Sequence, residues 1–449
     1  MDPLRGRGKL LQILGVAFGM AVLLGNTILV GLLRTPGEVA TRLPSTGLFI
    51  GVWMVGGLYA LLGALSLAEP GAMIARSGGQ YSIVHRALGP YPGFIVGWSD
   101  WLSTAASLAL GGMVVGEYAE PLLPGVPGGR VAIACGVTLL FGVMLWRGVR
   151  IGDIAQQILS ALKALAFGAL VVACLTLPVP PPDAATAPAA AVLPMGTALF
   201  TALVVALQSV IYTYDGWTGP LYFGEETIDP GRSIPRAMIA GVLVVILIYV
   251  MVNVAFVRVL GVTRMAGDPF VAATAGHALF GGSGDLIIRL LVLGSILGGM
   301  NAITLMVSRI PLAMSRDRLM PDAFDIVNTG GTPVVAHWVS IGMTLGFILS
   351  GTFEKVLALA AFFFVASYTM SFVSVFALRR NEPDTLRPYR VPGFPWTTGL
   401  VLLGSVAFLA GSVVSDWSNT ARSLLLLAIS YPIYRLILAS RQRSRRETS

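Results

Sequence analysis

The chain has 449 residues, 55% of them hydrophobic and only 12% charged, and its mean hydropathy is +0.80. Soluble domains carry about a quarter of charged residues, so this composition excludes an ordinary soluble protein and describes a polytopic membrane protein with no room for a sizeable soluble domain. A net charge of +8 does not argue for nucleic acid, because about 21 of the basic residues fall on connections of one side and about eight on the other, the asymmetry that places the basic side in the cytoplasm.

At roughly 20 apolar residues per crossing, twelve spans fit the chain with short connections. The basic run Arg5-Gly6-Arg7-Gly8-Lys9 precedes the first, from about Leu11 to Ala40, which is interrupted by Leu24-Gly25-Asn26-Thr27-Ile28-Leu29-Val30-Gly31. Glycines and polar residues there predict a broken helix, whose freed N–H and C=O groups lipid cannot satisfy. A second span, about Thr46 to Ala68, returns inward. After it, the glycine pair in Ser77-Gly78-Gly79-Gln80-Tyr81-Ser82 leads into an amphipathic piece with His85 and Arg86, expected along the inner surface. Spans three to five run from about Gly93 to Tyr118, Val131 to Trp146 and Ile154 to Leu177, the last carrying Lys163. An outer loop rich in Pro and Ala, Pro178 to Pro194, then separates two halves.

The sixth span, about Gly196 to Glu225, contains the second interruption, Tyr214-Asp215-Gly216-Trp217-Thr218-Gly219-Pro220. Paired breaks in corresponding spans are the mark of a secondary transporter whose site lies between them. The seventh span, about Ala237 to Val259, is followed by an outer segment with a short amphipathic helix. Spans eight to ten cover about Leu286 to Ala313, Val334 to Leu349 and Val356 to Leu378. Two more, about Thr398 to Val413 and Ser423 to Ala439, precede a basic tail through Arg446. Three units follow: 1–195 with the first five spans, 196–393 with the next five in inverted orientation, and 394–449 with the extra pair. Both termini are expected in the cytoplasm, and no cleavable signal is apparent. Cys135 and Cys174 lack metal-ligand spacing and read as small core hydrophobes. His85, His277 and His337 map to separate loops and span ends, which argues against a membrane-embedded enzyme, and no cofactor or metal is expected.

Several motifs in order carry a family resemblance: Gly25-Asn26-Thr27-Ile28 with Gly31; Ser77-Gly78-Gly79-Gln80-Tyr81 with Gly97-Trp98-Ser99-Asp100-Trp101; Tyr212-Thr213-Tyr214-Asp215-Gly216-Trp217 with Glu225-Glu226; Ser308-Arg309 with Ser315-Arg316-Asp317; and Arg387-Pro388-Tyr389-Arg390-Val391-Pro392-Gly393. The chain resembles the amino acid, polyamine and organocation (APC) superfamily and within it the bacterial and L-type amino acid permeases. That resemblance implies an all-α LeuT-like fold, a 5+5 inverted repeat with broken first and sixth helices, in the plasma (bacterial inner) membrane. It also implies an amino acid or related amine as substrate. Where the family has small residues, this chain has the bulky Leu29 and Val30, which implies a smaller or differently shaped ligand.

An amino acid needs exposed donors for its carboxylate and exposed acceptors for its ammonium. N–H groups around Val30, Gly31 and Leu32 would serve the first, and carbonyls freed near Gly25, Thr27, Tyr212, Thr213 and Asp215, around the turn at Gly216, the second. Close helix packing is the alternative role of Gly25 and Gly31. Tyr212 stands as an aromatic gate or an ordinary core aromatic. Asp215 either meets the substrate ammonium or a proton, or caps the inner half-helix. Lys163 either snorkels or is buried against freed carbonyls of the first helix. Related permeases carry a lysine at this place, which implies sodium-independent transport with Lys163 as the coupling residue.

Glu225, Glu226, Arg232, Arg236, Arg316, Asp317 and Arg318 read as an inner gate of ion pairs or as a solvated loop. Asn301 reads as interhelical glue, and Ser103, Thr104, Ser107 and Ser367 as candidate pocket residues. The function expected is secondary transport of neutral L-amino acids by exchange or proton symport. A polyamine or amino acid/amine exchanger is the alternative, and a non-transporting sensor the rival of another class. Beyond substrate, protons and the lipid bilayer, no residue selects a helper subunit or an oligomer.

Overall fold

A computed structural model describes residues 10–29, 31–178, 193–350, 353–415 and 417–448. The run Arg5 to Lys9, Val30 and most of the loop after Pro178 lie outside the described residues. Within them the chain is all helical. Helix α1 (Val16–Thr27) and α2 (Gly31–Arg42) meet at a 45° bend. α1 stops because Ile28, at φ −81° and ψ 79°, leaves helical geometry while its N–H still reaches Leu24 O. There follow α3 (Thr46–Ile74), α4 (Gln80–Leu88), α5 (Pro90–Ala119), α6 (Gly129–Trp146) and α7 (Val149–Thr176). The second half has α8 (Thr197–Thr213), α9 (Pro230–Met265), α10 (Val271–Phe280), α11 (Gly284–Val307), α12 (Arg309–Arg316), α13 (Val334–Ser350) and α14 (Phe353–Asn381). α15 (Trp396–Ser415) and α16 (Trp417–Thr448) close the chain.

Seven helical stretches are long and apolar enough to cross a membrane, and the bent α1–α2 pair makes an eighth when taken as one span. α8, α13 and α15 are shorter and apolar. The chain is therefore a multi-pass helical membrane protein.

Two packing groups position the site. In one, α3 lies along α9, α1 packs on α9, and α8 packs on α2 and α3. Trp53, Tyr214 and Tyr249 weld this group, with ring centroids 4.7 to 6.2 Å apart. In the other, α5 packs on α6, α11 and α13. α7 runs along α11 and α1, and α14 along α5, so each half lends one helix to the seam.

Three expectations change. The piece after the glycine pair is more enclosed than an amphipathic surface helix: Gln80 through Val84 are buried, because α4 is wedged against α5 and α14, while His85 and Arg86 stay partly exposed. Beyond the break in the sixth span there is a four-residue 3-10 turn, Gly219–Tyr222, rather than an α-helix. α9 runs past Val259 to Met265, bending at Gly261, whose φ of 69° leaves helical space.

Candidate functional site

The break between α1 and α2 strands carbonyls, and side chains from three other helices take them up. Lys163, on α7 and 3% exposed, donates to Gly25 O at 3.1 Å and Ile28 O at 2.6 Å. Ser295 of α11 donates to Ile28 O at 3.1 Å. Gln156 and Ser160, two turns and one turn before Lys163, donate to Ala21 O at 2.9 and 2.8 Å, and Asn301 donates to Gln156 Oε1 and Gly152 O, tying α11 to α7. Lys163 is thus buried against the first helix rather than snorkelling, and Asn301 serves as glue. Gly25 has a packing reason as well, since a Cβ there would lie 2.1 Å from Gln156 Nε2.

The second break faces the first. Tyr249 of α9 places its hydroxyl 2.7 Å from Thr27 O and 3.0 Å from Thr213 O, bridging the two interrupted spans. Asn26 donates to Gly216 O at 3.3 Å. Gly216 sits at φ +112°, and a Cβ on it would be 2.8 Å from Thr27 N, so only glycine lets the two breaks approach. Asp215 takes the backbone N–H of Gly216 at the break, and no α-helix starts there for it to cap. It accepts a hydrogen bond from Tyr368 of α14 and faces the cavity between the breaks. Trp217 stacks on Tyr368, with centroids 4.9 Å apart, and packs as an anchor.

That cavity has a volume of about 790 Å³, within the roughly 300–1,000 Å³ typical of ligand pockets. Asn26, Thr27, Gly31, Tyr212, Thr213 and Asp215 line its depth, with Ser107 and Leu110 of α5 opposite. It rises along α2 to Arg34, Glu38 and Arg42 at the mouth, where the Glu38 side chain is 50% exposed. The N-terminus of α2, the end where a helix has no intrahelical acceptor for its first N–H groups, stands at its wall at Gly31.

Of the expected site residues, Thr27, Gly31, Tyr212, Thr213 and Asp215 converge on the cavity, while Gly25, Gly216 and Lys163 stand behind it as support. Val30 lies outside the described residues. The Thr27 carbonyl is not available as an ammonium acceptor: Leu29 N–H, at 2.9 Å, and the Tyr249 hydroxyl occupy both of its lone pairs. Its hydroxyl, buried and unpartnered at the cavity wall, is the free group. Ser107 lines the cavity, whereas Ser103 donates to Asp100 O, and Thr104 and Ser367 are buried away from it. Leu29 fits because its side chain rests on Gly299, where a Cβ would be 2.1 Å away.

At the opposite end, near the chain's N-terminus, the structure is closed. Leu14 pairs with Glu226 O and Ile228 N at 2.9 and 2.8 Å. Arg309, 1% exposed, holds Glu226, 0% exposed, through two contacts of 3.0 and 3.2 Å. Arg316 holds Glu225 and Asp325, and Arg76 holds Asp317 at 2.9 Å. Glu225, Glu226, Arg316 and Asp317 are therefore in an ion-pair cluster. Arg232 is outside it, reaching only Asp229 on the surface at 4.0 Å. Sequence reading missed Arg76, Arg309 and Asp325 as partners, and Tyr249 and Tyr368 as bridges, because all but Asp325, which is nine residues from Arg316, meet a partner 83 or more residues away along the chain.

The sequence profile of a family described as amino acid permease matches residues 9–433. The serine/threonine exchanger SteT of Bacillus subtilis (strain 168) is 26% identical over 427 residues, covering 94% of this chain and 95% of that protein. The cystine/glutamate transporter of Homo sapiens is 26% identical over 429 residues, covering 94% and 84%. The Asc-type amino acid transporter 1 of Mus musculus is 26% identical over 385 residues, covering 84% and 72%.

Proposed function

The chain belongs to the amino acid permease family, and on that premise we propose that it is a secondary active transporter of amino acids, neutral L-amino acids first. It carries them chemically unchanged by sodium-independent exchange or proton symport. The observation that carries this reading is the cavity between two broken spans, which joins the α2 N-terminus at Gly31 to the carboxylate of Asp215. The helix end attracts a substrate carboxylate, and the Thr27 hydroxyl, the Thr213 side chain and Asp215 face its ammonium. With Asp215 turned into the cavity, an amine or amino acid/amine exchanger is the second reading.

Twelve spans are proposed, with α4 and α10 lying between them, arranged as two inverted sets of five: residues 1–195 and 196–393, with 394–449 outside the repeat. The packing supports this arrangement, since exchanging the halves maps α7 on α11 to α14 on α5 and leaves the pairs α3 with α9 and α5 with α11 unchanged. The ion-paired N-terminal face is assigned to the cytoplasm by its arginines, in the plasma membrane. The cavity then opens outward, and transport rocks α1, α2, α3, α8 and α9 against α5, α6, α11 and α13. Lys163 holds the first break in place as a fixed ammonium where a coupling cation would otherwise sit.

The test is uptake of a mixture of labelled amino acids into proteoliposomes, with and without internal amino acids and with and without a pH gradient. Uptake only with internal substrate means exchange, and accumulation driven by the gradient alone means proton symport. Absence of amino acid uptake under every condition, with amine uptake, refutes the first reading in favour of the second.

A further inference from the structure

Among the described residues, Asp215 and Asp100 sit inside the helical bundle with no ion-paired basic partner. Asp215, at the cavity, accepts from the Tyr368 hydroxyl. Asp100 of α5, 0% exposed, accepts from the Tyr222 hydroxyl at 2.7 Å through Oδ1. Thr104, one turn along α5 and 2% exposed, turns its hydroxyl toward the same carboxylate, and neither that hydroxyl nor Asp100 Oδ2 has another partner. Between the carboxylates lies Thr218, 2% exposed, whose side chain neighbours the hydroxyls of both Tyr222 and Tyr368. A line of hydroxyl groups thus runs from the cavity to a buried acid.

We propose that Asp215, Tyr368, Thr218, Tyr222 and Asp100 form a proton relay, with Asp100 the site that holds the transported proton while the N-terminal face is closed. The inference rests on the transport reading. A proton taken from the cavity by Asp215 passes to Tyr368 O as Tyr368 gives its own to Thr218, Thr218 to Tyr222 and Tyr222 to Asp100. One proton leaves Asp215 and one arrives on Asp100, and each hydroxyl ends with the single proton it began with.

The setting suits a proton site, because a charged carboxylate enclosed by protein with only the hydroxyls of Tyr222 and Thr104 beside it is costly to bury. The ionisable groups facing the relay are Tyr222, Tyr368 and the other carboxylate, with Tyr59, Tyr212 and Tyr249 around Asp215. Among the described residues no Lys or Arg forms an ion pair with either acid. The two negative charges repel, so a proton on one frees the other to ionise. The nearby gate arginines Arg309 and Arg76 are held by Glu226 and Asp317. Tyr222 belongs to the segment after the second break and Asp100 to α5. Movement between the two packing groups separates them and cuts the relay, which ties proton release to opening.

The test uses the full-length protein in proteoliposomes and compares wild type with Asp100→Asn and Tyr222→Phe. Lowering the pH on the cavity side from about 8 to about 5.5 should raise wild-type uptake at least about fivefold, with internal acidification read by a trapped dye. In Asp100→Asn the ratio should fall to about one while amino acid counterflow stays within about twofold of wild type, and Tyr222→Phe should behave alike. Wild-type counterflow without pH dependence, or an unchanged pH profile in Asp100→Asn, overturns the relay and leaves the transport reading standing.

Asn copies the shape of the neutral acid, so failure of Asp100→Asn to fold would mean that the carboxylate is needed as an anion, which also overturns it. If wild type carries no amino acid, the transport reading fails. The relay is then judged by infrared spectra of the detergent-solubilised protein. A protonated-carboxyl band present in wild type and missing in Asp100→Asn supports the proton site, and its absence from wild type refutes it.

Discussion

Replacing Glu226 by Gln should unlock the N-terminal face. The substitution keeps the shape of the side chain but removes the charge from a pair whose members are 0% and 1% exposed and meet at 3.0 and 3.2 Å. Breaking such a pair by removing one partner costs about 3–5 kcal/mol, because the remaining charge stays buried without compensation. Arg309 keeps Leu305 O at 2.7 Å, Ser308 Oγ at 3.2 Å and the face of Phe223 at 5.3 Å, which places the effect near the lower end. About 3 kcal/mol shifts the closed population by a factor of roughly 100.

Alkylation of a cysteine introduced at Ala313, 2% exposed on α12, by a water-soluble maleimide reads that shift. The labelling rate should rise by about that factor in Glu226→Gln. Replacing both partners with apolar residues, Glu226→Leu with Arg309→Met, should return the rate most of the way, since an apolar pair of similar volume is often neutral or better. Labelling of Glu226→Gln at the wild-type rate would refute the reasoning. So would a double variant as open as the single one, which would mean that shape, not the stranded charge, sets the effect.

Lys163→Ala should abolish or uncouple transport at unchanged abundance in the membrane, since it removes the donor to Gly25 O and Ile28 O; equal uptake at every pH would remove Lys163 from coupling. Tyr249→Phe loses the hydroxyl between Thr27 O and Thr213 O, worth about 1–3 kcal/mol, and should raise the KM for uptake about tenfold, whereas an unchanged KM would count against a shared bridge. Gly216→Ala forces a Cβ to 2.8 Å from Thr27 N at φ +112°, a strain of about 1–3 kcal/mol, and uptake near wild-type level would show that the breaks need not approach so closely. Burial holds His85 below its ordinary value of 6.5, aided by Arg76 and opposed by Asp317. Its contribution to stability is therefore present above 6.5 and lost as pH falls through that value, so thermal stability in detergent should drop less between about pH 7.5 and about pH 5 in His85→Gln than in wild type; equal drops would exclude His85.

Much of this architecture is written in local sequence. Hydropathy marks the spans, because lipid demands a long apolar run wherever the chain crosses. Gly25 to Gly31 and Tyr214 to Pro220 mark the breaks, because glycine and polar residues leave backbone groups that need partners. Such signals cannot name the partners. Lys163 takes up Gly25 O from a position 138 residues away, and Tyr249 reaches Thr27 O across 222, so the compensating groups appear only once helices from both halves stand side by side. The same holds for Asp100, ordinary in its own helix until the hydroxyl of Tyr222, 122 residues away, comes within 2.7 Å. Sequence alone determined where the backbone had to be broken and that the solvent was lipid, both consequences of neighbouring residues. Only the tertiary structure decided which distant side chains satisfy those breaks, which carboxylate faces the cavity and which arginines close the opposite end, since hydrogen bonds and ion pairs depend on separations in space that the spacing of residues along the chain does not encode.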